Sequence, residues 1–326
     1  MLSSKKEESM KNKFFVSIIA TVLVALFASC SNDSIEVERQ LTVRVIPIGV
    51  VEPFNYEYRK GELTTLNADY RLRTRLIVYN TEGKAVEKRT YYLKSYNDEM
   101  VIQSSLPNGT YQMVAITDVV AGEDYSYEYW TLSNEDELGQ MKISSVKNAQ
   151  KGSAQNEPGY QKCILGIDSR QVQVTNESRE VELAPKPAGA LLCVYIKDAK
   201  KIANVRQLQF RTNQMSDYIS FNTKGTFTAS TNRSEGNSLA IVESHWNISS
   251  VTSQDVACYL FFLPTDITMA FAYGIEGENK AHWATERING TFEAGAEYEI
   301  LLDLKATSYS DLSSGNGVVY YKKVSK

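Results

Sequence analysis

Four cysteines and two histidines carry most of the nucleophilic and metal-ligating capacity of this 326-residue chain. Their spacing decides which chemistry is open to it. His245 and His282 each precede a tryptophan, Trp246 and Trp283. A nucleophile–histidine pair would have to use one of them. No GxSxG or HExxH pattern accompanies either. Cys163, Cys193 and Cys258 show no CxxC spacing. An odd number without that spacing signals neither a disulfide framework nor a zinc site. Cys193 in ALLCVYI and Cys258 in VACYLFFL lie in apolar runs, where a free thiol packs as a small hydrophobe. A bond between these two is the alternative. Carboxylates are plentiful, but no pair is singled out as acid and base, and there is no Gly-rich phosphate loop. The expectation is a chain with no catalytic residues, no metal and no cofactor.

The fourth cysteine is different. Cys30 follows FFVSIIATVLVALFA (14–28), a run of fifteen uncharged and mostly apolar residues preceded by Lys11 and Lys13. A basic start, a short apolar core and a small-residue exit make a secretory signal over residues 1–29. The run falls short of the roughly 20 apolar residues of a membrane span. An ordinary signal needs no cysteine at its exit. Here the small pair Ala28-Ser29 runs into Cys30, which resembles the bacterial lipobox, although Phe27 stands where leucine is commoner. In that motif the thiol takes a diacylglyceryl group and becomes the mature N-terminus. The alternative is a plain signal with a coincidental cysteine. Two or more acyl chains anchor stably, at roughly 0.8 kcal/mol per buried methylene. Met10 is a second plausible start, since MLSSKKEES (1–9) only adds charge ahead of it. Residues 30–39, short and polar, read as a lipidated tether.

Net charge is −4, with no long basic run, which argues against nucleic acid as a partner. The mature length suggests two domains. Almost everything after Gln40 alternates. LTVRVIPI (41–48) reads as a strand, and RLRTRLIVY (71–79) puts Leu72, Leu76 and Val78 on one face and three arginines on the other. Period-two alternation of this length indicates a half-buried strand, so Arg71, Arg73 and Arg75 are expected on a solvated face, paired with acids across the strand. NTEG (80–83) and Pro107-Asn108-Gly109 read as turns. Strands are expected at 100–104, 110–117 and in DYSYEYW (124–130), where Tyr125, Tyr127 and Tyr129 would share a face. The polar stretch 133–160 reads as loop, with Ser133 and Asp136 able to cap one helical turn. After PKPAG (185–189), taken as a linker, short strand candidates recur to EYEILLDL (297–304). Many short strands with frequent turns indicate a sandwich or barrel. The expectation is all-β, with one β-sandwich over 40–184 and a second over 185–306. NTEG recurs as NTKG (222–225), and LPNGTYQMVAI (106–116) is loosely echoed by FEAGAEYEILL (292–302), a hint of duplication.

This order resembles the fimbrillin-like lipoproteins of Bacteroidetes, and most closely their fimbrial anchor subunits. It runs from the Cys30 motif through RLRTRLIVYNTEGKAV, LPNGTYQMVAITD, YQKCILGI, REVELAP and ALLCVYIKD to FEAGAEYEILLDL. The likeness covers about 40–305 and rests on pattern and order rather than on an invariant motif. It implies two tandem transthyretin-like, Greek-key β-sandwich domains. It also implies a subunit of a type V pilus, held by lipid at the outer membrane on the cell surface, and partnered by other fimbrial subunits through strand exchange. Stalk members of that family lose an N-terminal strand to an arginine-specific protease, and Arg39, Arg44 and Arg59 are the positions where this chain offers such a cut.

The tail suits a donor. SYSDLSSGNG is a flexible spacer and VVYYKKVSK follows it, so Val318, Val319, Tyr320 and Tyr321 within 307–326 form a possible donor strand. The alternative is a strand of its own sandwich or a frayed tail. A second function class is a surface glycan-binding lipoprotein, with Tyr125, Tyr127 and Tyr129 as the aromatic contact surface. A third option is a stalk or tip fimbrillin processed at an arginine.

Overall fold

Alternation and turn chemistry set the elements, and pairing sets the layers. The structure, a computed structural model, describes residues 41–47, 66, 68–122, 124–145, 153–154, 164–178, 180–197, 205–212, 215–230, 242–247, 256–275, 277, 279, 281–283, 288–303 and 318–324. Cys30, Arg39, Arg59 and Cys163 lie outside them. The first strands are β1 (Leu41–Val45), β2 (Tyr70–Tyr79), β3 (Ala85–Leu93), β4 (Met100–Ser104), β5 (Gly109–Ala121), β6 (Tyr127–Glu128) and β7 (Trp130–Ser133). They are followed by β8 (Lys142–Ser145), β9 (Ser153–Ala154), β10 (Leu165–Val174), β11 (Glu180–Leu183) and β12 (Lys186–Pro187). Next come β13 (Ala190–Lys197), β14 (Val205–Thr212), β15 (Tyr218–Phe221), β16 (Phe227–Ser230), β17 (Val242–Asn247) and β18 (Val256–Phe262). The last are β19 (Thr265–Ile275), β20 (Ala281–Trp283), β21 (Ile288–Phe292), β22 (Glu297–Asp303) and β23 (Val318–Val324). The protein is all-β. Its helical content among the described residues is 3-10 alone, in the turn Leu138–Gln140 and at Pro47. No helix among them is long and apolar enough to cross a membrane.

Three layers build the first half. A three-stranded sheet, β11-β1-β4, packs on one face of a sheet ordered β12-β10-β5-β2-β3. Leu41, Val43 and Val45 meet Leu76, Val78, Tyr111, Met113 and Ala115 in that space. The other face of the same middle sheet carries Ile77, Tyr79, Val114 and Ile116. Trp130 of β7, Ile143 of β8 and Ile219 of β15 cover it, all in the sheet β16-β15-β8-β7. Each fully buried Leu, Ile or Val side chain is worth roughly 1.5–3 kcal/mol, so a sheet covered on both sides gains from both of its faces.

That middle position corrects the reading of the arginine stripe. Arg73 and Arg75 are each only 8% exposed and Asp118 is 0% exposed. Arg73 does pair with acids, as expected, but inside the protein. Its Nε donates to Asp118 Oδ1 at 3.0 Å, Nη2 to Asp118 Oδ2 at 2.6 Å, and Nη1 to Glu128 Oε2 at 2.5 Å. Burial opposes the Arg73 charge, and the two carboxylates outweigh it and hold its pKa above the ordinary value. Arg75 is less well served. Its Nη2 stands 3.5 Å from Asp118 Oδ1, and its Nε has no hydrogen-bond partner among the described residues. Burial pushes the Arg75 pKa down. Arg71, at the strand end, donates to the carbonyls of Ala68 and Tyr70.

Segment 133–160 holds more order than its polarity announced. β8 pairs antiparallel with both β7 and β15. The Ser133–Asp136 cap does not form: the 3-10 turn starts after Glu137, with no side-chain cap. Ser133 ends β7, and the Asp136 carboxylate takes Lys88 at 2.6 Å. PKPAG is not a free linker either. Lys186 and Pro187 pair with Ile167 and Gly166 of β10. A Cβ on Gly189 would lie 2.4 Å from the carbonyl oxygen of Phe262, which explains a glycine there.

The pairing order is the same on both sides of residue 185. β1 is flanked by parallel β11 and antiparallel β4, and β13 by parallel β22 and antiparallel β18. β2 lies between β3 and β5, and β14 between β17 and β19. The sequence echoes that hinted at duplication join non-equivalent strands. NTEG connects β2 and β3, whereas NTKG connects β15 and β16. They match because both are the same turn. Asn80 Oδ1 accepts from the amides of Glu82 and Lys84, as Asn222 Oδ1 does from Lys224 and Thr226. Gly83 and Gly225 take φ of 75° and 77°. Strands also cross residue 185, since β8 pairs with β15 and β9 with β18.

Cys193 and Cys258 are buried thiols outside any disulfide. Cys193 is in register with Tyr259, and Cys258 with Val194. Directly opposed residues share a face and neighbours alternate, so the two thiols sit on opposite faces of one sheet and cannot bond.

Candidate functional site

β1 is the element whose position bears most on function. It is five residues long and has a neighbour on each side. Leu41, Val43 and Val45 point into the core, while Thr42 and Arg44 point outward. The outward pair ties β1 to both flanks. Thr42 Oγ1 donates to Gln103 Oε1 at 3.1 Å. Arg44 Nη2 meets Glu99 Oε2 at 2.6 Å and Nη1 meets Glu180 Oε1 at 3.1 Å. These two carboxylates hold the Arg44 pKa above its usual value. Without β1, β4 and β11 would each present unpaired backbone groups over an apolar floor, the arrangement that a partner strand satisfies.

At the other end of the chain, β23 runs antiparallel to β22, with Val318 opposite Asp303 and Val324 opposite Glu297. It is the edge of the sheet β23-β22-β13-β18-β9. Val318, Val319, Tyr320 and Tyr321 thus pair within their own chain, and β23 has a second backbone edge with no partner among the described residues.

The tyrosine row does not survive as a row. Tyr125 adopts φ 59°, which breaks the strand expected over 124–130, because period-two alternation needs extended backbone at every residue. Its ring stacks on Tyr92 at 4.6 Å, with the Arg71 guanidinium 5.9 Å from the ring centre. Tyr127 is 62% exposed, whereas Tyr129 is 9% exposed and packs in the core. The rings of Tyr127 and Tyr129 meet edge-on at 5.3 Å. The exposed tyrosines at this surface are therefore Tyr92 and Tyr127, with Tyr125 half-buried against Tyr92. Sequence reasoning missed Tyr92 because it lies on β3, brought alongside only through β2 and β5. Alanine at Tyr127 should leave stability within about 0.5 kcal/mol of the parent, whereas alanine at Tyr129 should cost about 3 kcal/mol in urea unfolding.

The two histidines are not brought together. His245 is in register with Gln209 and so with the row of Ala272 and Trp283, while His282 is in register with Tyr273. Among the described residues no group of three or more His, Cys, Asp or Glu is arranged to hold a metal.

No family model matches the chain. No curated protein matches it. Solved structures do. One, described as a candidate cell adhesion protein from Bacteroides uniformis, is 15% identical, with 88% of this chain and 98% of that chain covered at a TM-score of 0.50. A second such protein from Bacteroides ovatus is 12% identical, with 88% and 95% covered at 0.48. A candidate polysaccharide binding protein from Bacteroides thetaiotaomicron is 11% identical, with 88% and 98% covered at 0.48. At 15% identity and a TM-score of 0.50, the likeness to the first of these is one of fold alone.

Proposed function

We propose that this chain is a surface adhesion protein of the fimbrial kind, a lipid-anchored base subunit of a type V pilus that docks its neighbour by β-strand addition. The observation that carries the reading is the pair of terminal strands. β1 fills a groove between β4 and β11 with three buried side chains, and β23 lies on a sheet edge at the far end of the chain. One can be vacated and the other can be offered. The cell-adhesion description of the Bacteroides uniformis structure, which shares the fold, supports the adhesive part. Attachment runs through an acylated Cys30 at the outer membrane surface, and the repeated pairing order supports two tandem sandwiches. No catalytic chemistry is assigned.

In the stalk variant of this reading, a cut after Arg59 would remove β1 whole. A cut after Arg44 would first require β1 to leave its groove, because Arg44 is engaged on both sides. The base-subunit reading keeps β1 in place. Deleting residues 317–326 should abolish attachment of the next subunit while the body stays folded, with a cooperative unfolding transition and a circular-dichroism spectrum short only of the β23–β22 ladder. An unchanged pilus would sink the proposal. A surface glycan-binding lipoprotein is the second reading, favoured by the exposed Tyr92 and Tyr127 and the half-buried Tyr125 beside Arg71.

A further inference from the structure

Where β7, β8 and β15 stop covering the middle sheet, the exposed end of that sheet changes character. Along β5 the row Ile116, Val114 continues as Gln112 and Thr110, and along β10 the row Leu165, Ile167 continues as Ser169 and Gln171. These polar residues form the floor of a cavity of about 720 Å³. Its walls are Asn80 and Thr81 from the turn of the β2–β3 hairpin and Thr223, Lys224 and Gly225 from the turn of the β15–β16 hairpin. Each turn is fixed by its own asparagine. Floor and wall are also tied together: Gln112 Nε2 donates to Ser169 Oγ at 3.0 Å, and Ser169 Oγ donates to the Gly225 carbonyl at 2.7 Å.

We propose that this cavity binds an anionic saccharide. Its volume falls within the range of about 300–1,000 Å³ typical of ligand sites. The lining offers amides and hydroxyls, which match sugar hydroxyls as both donors and acceptors, and the half-buried ring of Phe227 offers apolar surface for sugar C–H groups. None of the lining side chains is acidic, although acids outnumber bases in the chain by 39 to 35. Arg170 lines the cavity but is engaged by Asp168. Lys224 makes no ion pair among the described residues, which leaves its ammonium for a ligand carboxylate or sulfate. Of the floor strands, β5 is paired through Gln112 with β2 on one side and β10 on the other, so recognition across it falls to side chains; β10 meets β12 only at Gly166 and Ile167, and a strand added along its remaining edge would not occupy the floor. The cavity is separate from the β1 groove, from β23 and from the exposed tyrosines.

Calorimetry on the full chain tests the site with three probes: a galacturonate tetramer, a kappa-carrageenan tetrasaccharide, whose only charges are sulfate esters, and neutral maltotetraose. At least one anionic probe should bind at least tenfold more tightly than maltotetraose, and which one does so separates carboxylate from sulfate recognition. Lys224→Ala should weaken that binding about tenfold or more, the worth of one charge-assisted contact. Gln112→Ala should weaken it as well, with both variants unfolding at the parent midpoint, while Tyr127→Ala should bind as the parent does. The proposal fails if no anionic probe binds, if Lys224→Ala and Gln112→Ala both bind unchanged, or if Tyr127→Ala alone abolishes binding. Pilus assembly does not enter any of these readouts, so failure here is distinct from failure of the strand-exchange reading.

Discussion

Replacing Asp118 by alanine will lower the free energy of unfolding by about 3–5 kcal/mol, because it strands two buried guanidinium groups at once. Asp118 is 0% exposed and takes two hydrogen bonds from Arg73. It is also the nearest counter-charge to Arg75. With the carboxylate gone, Arg73 keeps Glu128 and the Trp130 carbonyl, and Arg75 keeps no ion pair among the described residues. Urea unfolding of the two proteins measures the loss. A sharper outcome follows from the asymmetry between the arginines. Arg75→Met should be neutral or stabilising, because its guanidinium is buried with poor compensation, and a buried ion pair often gives way to apolar packing without loss. A loss below 1 kcal/mol in Asp118→Ala would mean that Glu128 and water make good the missing charge.

Val43→Asp will release β1. Val43 is 0% exposed, opposite Val181 on one side and Ile102 on the other. The substitution forfeits roughly 1.5–3 kcal/mol of burial and adds the larger cost of an unpaired carboxylate facing the core. Five residues of ladder cannot offset that sum. The released segment exposes Arg44, which in the parent is held by Glu99 and Glu180. Trypsin should therefore cut after Arg44 at least about a hundredfold faster than in the parent. That factor corresponds to a change near 2.8 kcal/mol when cleavage follows the population of the open form. Val43→Ala should fall well short of it. If Arg44 stays as resistant in Val43→Asp as in the parent, the apolar face is not what holds β1, and the groove loses its meaning as a docking site.

The sequence was most readable where one residue constrains its neighbours. Period-two alternation placed β1 and β2, the Pro107-Asn108-Gly109 turn placed β4, and Asn-Thr-x-Gly marked two turns that the structure builds with the same hydrogen bonds. It was least readable where a local rule meets an exception. Tyr125 alternates correctly with Tyr127 and Tyr129 in the sequence, yet it takes a left-handed conformation, held by Tyr92 and Arg71 from other strands. The KISS segment of β8 has little apolar content, and it becomes a strand because β7 and β15 pair with it from both sides.

The chain's linear order determined the strand periods, the turns, the all-β class and the isolation of Cys30 after its apolar run. Tertiary structure decided what covers each face. A strand's alternation says that it has two faces, and it does not say whether water or another sheet lies on the second. Hence Arg73 and Arg75 went inward beside Asp118, Cys193 and Cys258 went to opposite faces, and the polar ends of β5 and β10 were left open between two hairpins. Each outcome depends on residues tens of positions away, because sheet stacking is set by pairings that close long loops, and a local pattern carries no record of them.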